Sequence, residues 1–180
     1  MRHFVSGMLA LVLAATTMAT QAEQQAAGTA PAQRVEATFG DWSRICSSNP
    51  EGATVCQIVQ SANQNESGQL VFQTAVGYVA DNERPIMYLT APLGIFLPRG
   101  ISIFVDDSEE GLTATVQRCD GSGCLGLLAM TEAFVDKLKK GKAAKLVFGA
   151  TATQNVSLPL SLDGFTKAFN SLVPLQQQKQ

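Results

Sequence analysis

Four cysteines set in two close pairs constrain this chain more than any other feature. Cys46 and Cys56 flank a stretch that opens Ser-Ser-Asn-Pro-Glu-Gly, and Cys119 and Cys124 flank Asp-Gly-Ser-Gly. Whether such pairs are disulfides, metal ligands or free thiols depends on the compartment. The first 22 residues decide that. Met1-Arg2-His3 is a short positive segment, and Phe4–Ala15 is apolar apart from Ser6 and Gly7. Thr20-Gln21-Ala22 then places small residues before Glu23. This is the layout of a cleaved secretory signal. An apolar run of about a dozen residues is too short for a spanning helix, which needs ~20.

In an oxidising compartment an even cysteine count reads as disulfides. Three pairings are open. The short loops favour Cys46–Cys56 and Cys119–Cys124, since the residues between each pair carry turn chemistry that sets the cysteines opposite one another. Closing each loop contributes about 2–3 kcal/mol in the chain-entropy account. The rival reading, a four-cysteine zinc site, has suitable ligand spacing at only one of the two pairs.

Export also removes the only histidine, His3. The mature chain then has no imidazole, which excludes Ser-His-Asp and Cys-His catalysis and histidine-ligated zinc. The formal net charge of −2 becomes one unit more negative when Arg2 is lost, the wrong sign for a nucleic-acid binder. The organisation expected is therefore a signal peptide over 1–22 and a disordered Gln/Ala-rich leader over 23–36. One β-rich domain over 37–173 and a flexible tail over 174–180 follow. About 140 residues suit a single domain.

Within the domain, short β-branched and apolar runs follow one another. They are Thr54–Gln60, Gln69–Val79, Pro85–Thr90, Ile101–Val105, Leu112–Arg118, Leu125–Met130, Lys145–Thr151 and Asn155–Leu162. Turn residues separate them, which predicts an antiparallel β-sandwich or barrel. Two helices interrupt it. Thr131 is placed to cap the first, with Phe134, Val135 and Leu138 inward and Gly141 at its end. The second begins near Asp163, read as its N-cap, with Phe165, Ala168, Phe169 and Leu172 on one face and Pro174 as its stop.

Candidate chemistry is sparse. Asp106, Asp107, Glu109 and Glu110 offer carboxylate oxygens to calcium but lack the spacing of a calcium loop, and a solvated turn is the plainer reading. Asp41, Asp120 and Asp163 are the isolated carboxylates a glycosidase would need, with nothing to set two across a cleft. Lys137, Lys139, Lys140, Lys142 and Lys145 form the one basic cluster. It is either a contact for an anionic partner or a helix end whose lysines complement the dipole. Trp42 reads as core, with a ligand groove as the alternative. Asn65-Glu66-Ser67 and Asn155-Val156-Ser157 are chance sequons. No catalytic residue, metal or cofactor is assigned.

Several motifs then fall in order: Gly-Asp-Trp-(three)-Cys46, then Cys56. Ala91-Pro92-Leu93-Gly94-Ile95-Phe96-Leu97-Pro98-Arg99-Gly100 comes next, then Cys119-Asp-Gly-Ser-Gly-Cys124. Ser161-Leu162-Asp163-Gly164-Phe165-Thr166-Lys167-Ala168 comes last. Together they resemble the invasion-associated locus B family of alphaproteobacteria, over about residues 38–172. The resemblance implies an exported envelope or secreted protein. The family's namesake is associated with a pathogen's invasion of host red cells. The function expected is a non-enzymatic module in the periplasm or secreted, with association at the outer membrane a further expectation. Its partner would be a protein or an envelope or host surface, with no nucleic acid and no transmembrane segment after cleavage. The alternatives are a periplasmic ligand-binding or housekeeping protein and a carboxylate-only hydrolase.

Overall fold

The computed structural model describes residues 34–48, 54–63, 68–79 and 84–172. The signal peptide, the leader as far as residue 33, the tail and the first sequon lie outside the described residues. Ten strands form one antiparallel sheet in the order β1-β2-β3-β4-β5-β8-β7-β6-β9-β10. In chain order these are β1 (Arg34–Phe39), β2 (Trp42–Ser48), β3 (Thr54–Asn63), β4 (Leu70–Gly77) and β5 (Ile86–Ala91). β6 (Ile101–Val105), β7 (Leu112–Asp120), β8 (Gly123–Ala129), β9 (Ala143–Gly149) and β10 (Asn155–Ser161) follow. Helix α1 (Glu132–Lys140) joins β8 to β9, and α2 (Phe165–Asn170) follows β10. A single 3₁₀ turn, Leu97–Arg99, sits between β5 and β6.

β1 is a strand that the hydrophobic pattern does not announce. It takes Arg34, Val35 and Glu36 from the stretch assigned to the leader. Its residues are mostly exposed, and it is held by pairing with β2.

The sheet folds over one core. Ile58, Val76, Met87 and Leu89 from its first half and Ile101, Ile103, Leu146 and Leu160 from its second are essentially inaccessible. Both disulfides join residues directly opposite on neighbouring strands. Cys46 faces Cys56 across β2 and β3, and Cys119 faces Cys124 across β7 and β8, with Cα atoms 4.0 Å apart in each. Such close opposition belongs to the non-hydrogen-bonded positions of an antiparallel ladder, where side chains approach nearest.

Helix α1 is capped as its sequence predicts. Phe134 N–H donates to the Thr131 side chain at 3.2 Å, and Phe134, Val135 and Leu138 are buried. Gly141 ends it in extended backbone rather than a left-handed cap. A Cβ there would come within 2.6 Å of Val105 and 2.8 Å of Leu162, so close approach explains the glycine.

Helix α2 corrects the sequence reading. Its N-cap is Gly164, at φ +81, with no side-chain cap, and not Asp163. A Cβ at Gly164 would overlap the carbonyl of Phe39. The turn between β1 and β2 and the turn between β10 and α2 therefore lie backbone against backbone, with Asp41 N–H donating to the Asp163 carbonyl at 3.2 Å. That contact outweighs the ordinary preference for a polar capping side chain.

Candidate functional site

The seam where β10 meets the first hairpin is closed by side chains. Trp42 is fully buried, with its ring edge-on to Phe165 at 5.1 Å and its indole N–H donating to the Ser161 carbonyl at 3.0 Å. Trp42 is thus core, as its sequence context implies, and it leaves no surface for a ligand. The Gly-Asp-Trp and Ser-Leu-Asp-Gly-Phe motifs, more than 100 residues apart, are two sides of this one contact.

The fold brings the lysine cluster and the acidic turn together, which sequence distance conceals. Asp106 Oδ1 accepts the backbone N–H groups of Lys142 and Ala143 at 2.9 and 3.0 Å. These bonds, Ala143 first and Lys142 second, hold its carboxyl below the ordinary value. Asp106 has φ +51 and is committed to the turn between α1 and β9. Lys137 Nζ donates to Ser108 Oγ at 2.7 Å, and Lys140 pairs with Asp136 at 3.8 Å. Lys139 lies over the Phe169 ring at 4.8 Å and is half-buried rather than exposed, while Lys145 lies over Phe104 at 5.5 Å. The positive field of the cluster is offset by the carboxylates beside it.

The remaining carboxylates are structural too. Asp120 accepts Ser122 N–H at 2.9 Å and pairs with Arg118 at 3.4 Å. Asp41 and Asp163 meet through their backbones. Ligand atoms of Glu36, Cys46 and Cys56 lie within 4.8 Å of one another, but both sulfurs are spent in the disulfide.

The outer face of the sheet carries a feature that no sequence motif marks. Cross-strand pairing sets Gln73, Thr90, Leu125 and Arg118 in one row across β4, β5, β8 and β7. The next row is Val59, Ala75, Tyr88, Leu127 and Thr115. Directly paired residues share a face. Alternation along β7 would have turned Arg118 inward with Ala114 and Val116. A bulge between Val116 and Arg118 reverses the parity, aligning Cys119 with Cys124 and sending Arg118 outward. Small side chains at Ala75 and Gly123 leave a groove of about 300 Å³ lined also by Gln57, Gln73, Tyr88 and Asp120. Arg118 separates it from a second hollow of about 330 Å³ beside Leu97–Gly100. Burial raises the Tyr88 phenol above its ordinary value. Period-two alternation flags the outward positions of β3, β4 and β5, but the bulge hides Arg118 from any such count.

The fold and this surface define a disulfide-bridged antiparallel β domain with two capping helices and a mixed polar and aromatic outer face. The chain belongs to the invasion-associated locus B family: the model of the Invasion associated locus B (IalB) protein matches residues 42–173. It is similar to Invasion protein B of Bartonella bacilliformis, with 31% identity over 144 residues, 78% of this chain and 75% of that protein. It is also similar to the crystal structure of invasion associated protein b from Bartonella henselae. There the TM-score is 0.63 and the identity 27%, covering 74% of this chain and 91% of the other. No helix among the described residues is long and apolar enough to cross a membrane.

Proposed function

We propose that this protein is exported through a cleaved signal peptide and acts at the envelope or outside the cell as a non-enzymatic binding module that contributes to contact with a host cell. The observation that carries this is its 31% identity to Invasion protein B over three quarters of both chains. The chemistry of the chain supports the non-enzymatic part. Its one histidine precedes the expected cleavage point, and all four cysteines are in disulfides. Disulfides suit an oxidising compartment.

The test compares a strain lacking the protein with the same strain carrying it again, for attachment to host cells and uptake by them. Loss on deletion and recovery on complementation are expected. Equal attachment in all strains would return the protein to the periplasmic housekeeping alternative. N-terminal sequencing of the envelope fraction checks the export step. Glu23 is expected as the first residue, and a start at Met1 would overturn a cleaved signal.

A further inference from the structure

We propose that the groove over β4 and β5 on the outer face of the sheet is a binding site for a neutral oligosaccharide. This rests on the reading of the protein as a binding module and names the chemistry of what it binds.

The groove exists because β4 presents Ala75 between larger neighbours. Ala75 is paired with Val59 on one side and Tyr88 on the other, so the Tyr88 ring borders a depression instead of meeting a side chain of its own size. Gln73 and Thr90 sit one pair further along. The side chains of Gln57, Gln73, Tyr88 and Thr90 all line the groove and form no hydrogen bond with other described residues. An amide offers two donors and an acceptor in one plane, and each hydroxyl offers both roles.

Charge narrows the ligand class. Among the described residues lining the groove, the charged groups are Arg118 and Asp120, which pair with each other at 3.4 Å, and Asp120 is further held by Ser122 N–H. A site with one cation already matched to one anion gives no net attraction to a polyanion or a metal ion. It retains a fixed fork of N–H donors beside carboxylate oxygens, suited to adjacent hydroxyls. An aromatic ring suits the C–H face of a pyranose, and planar amides suit its hydroxyl edge. The combination of an apolar floor and a few convergent polar groups is what a small-ligand site requires. From Gln73 to Arg118 the row crosses three strand spacings, roughly 14 Å, which favours a short oligomer over a single sugar.

The experiment uses the mature, oxidised chain, isotopically labelled, titrated with maltotriose, cellotriose and chitotriose while backbone amide resonances are followed. At least one sugar is expected to shift the amides of Gln73, Tyr88, Thr90 and Leu125 in a saturable way. Tyr88→Phe, which keeps the ring and loses the hydroxyl, should bind about threefold more weakly than the parent, and Tyr88→Ala about tenfold more weakly. Gln73→Ala, a smaller truncation, serves as the second variant should Tyr88→Ala fail to fold, and it should also weaken binding. The proposal is overturned if none of the sugars shifts these amides, or if Tyr88→Ala and Gln73→Ala bind as the parent does. An extended peptide that shifts the same amides where no sugar does would overturn it in favour of a protein partner. A protein that binds no sugar yet still restores host-cell attachment would remove the saccharide site and leave the host-contact reading standing.

Discussion

Gln60 pairs with Ser161 as a neighbouring strand would. Its amide nitrogen donates to the Ser161 carbonyl at 3.1 Å, and its amide oxygen accepts the Ser161 N–H at 2.9 Å. The residues are 101 positions apart, and Gln60 is 8% exposed, so a polar side chain is stably buried because both ends of its amide are satisfied. The Ser161 carbonyl also accepts from Trp42, so three elements converge on one peptide group.

Replacing Gln60 with Leu should therefore destabilise the fold by about 1–3 kcal/mol, because the Ser161 N–H is left buried without a partner. Trp42→Phe should cost about 1 kcal/mol through the lost indole bond, plus a packing loss. The two share one acceptor, so the double variant should depart from additivity by more than about 0.5 kcal/mol. Urea unfolding of the oxidised protein measures all three; additive costs would show that the bonds do not act together.

Asp163 and Gly164 separate the capping expectation from the observed contact. Asp163→Ala should change stability by less than about 0.5 kcal/mol, since its side chain caps nothing. Gly164→Ala should cost about 2 kcal/mol or more, because the left-handed backbone is strained for alanine and the new methyl meets the Phe39 carbonyl. The same unfolding measurement applies, and a larger loss at Asp163 than at Gly164 would restore the cap.

Asp106 makes stability depend on acidity. Its folded-state pKa is lowered by the backbone N–H bonds of Ala143 and Lys142. A group with a depressed folded pKa contributes stability that is present above its unfolded value, near 3.8, and lost as pH falls through the folded value. Asp106→Asn keeps a side chain that tolerates positive φ but removes the charge. The gap in unfolding midpoint between parent and variant should be constant from neutral pH down to about pH 5 and close below about pH 4. A gap that stays unchanged at low pH would show that the carboxylate charge is immaterial.

The lysines should bind anionic surfaces only weakly. Lys137 and Lys140 have local partners, and the acidic turn lies beside Lys142. Sedimentation with phosphatidylserine vesicles should detect association at low salt and little at physiological ionic strength, where screening acts within ~8 Å. Replacing Lys139, Lys140 and Lys142 with Gln should abolish the low-salt binding. Equal sedimentation of the triple variant would place the contact elsewhere.

The parts of this protein that were legible in its sequence are those set by neighbours along the chain. Close spacing and turn residues led to Cys46–Cys56 and Cys119–Cys124. Thr131 and the spacing of Phe134, Val135 and Leu138 led to α1, and alternating apolar runs led to an antiparallel β architecture. Each rests on interactions spanning a few residues, where local conformational preference and loop closure dominate. Tertiary structure decided the rest. β1 is a strand only because β2 offers it a ladder, and Gly164 displaces Asp163 as cap only because the Phe39 carbonyl lies against it. Asp106 holds the turn between α1 and β9 through the backbone N–H groups of Lys142 and Ala143, more than 30 residues away. The outer groove depends on cross-strand register and on one bulge at β7, which changes the facing of Arg118, Cys119 and Asp120. Register is fixed by which side chains bury together across strands, a condition on the whole core that no window of the sequence contains.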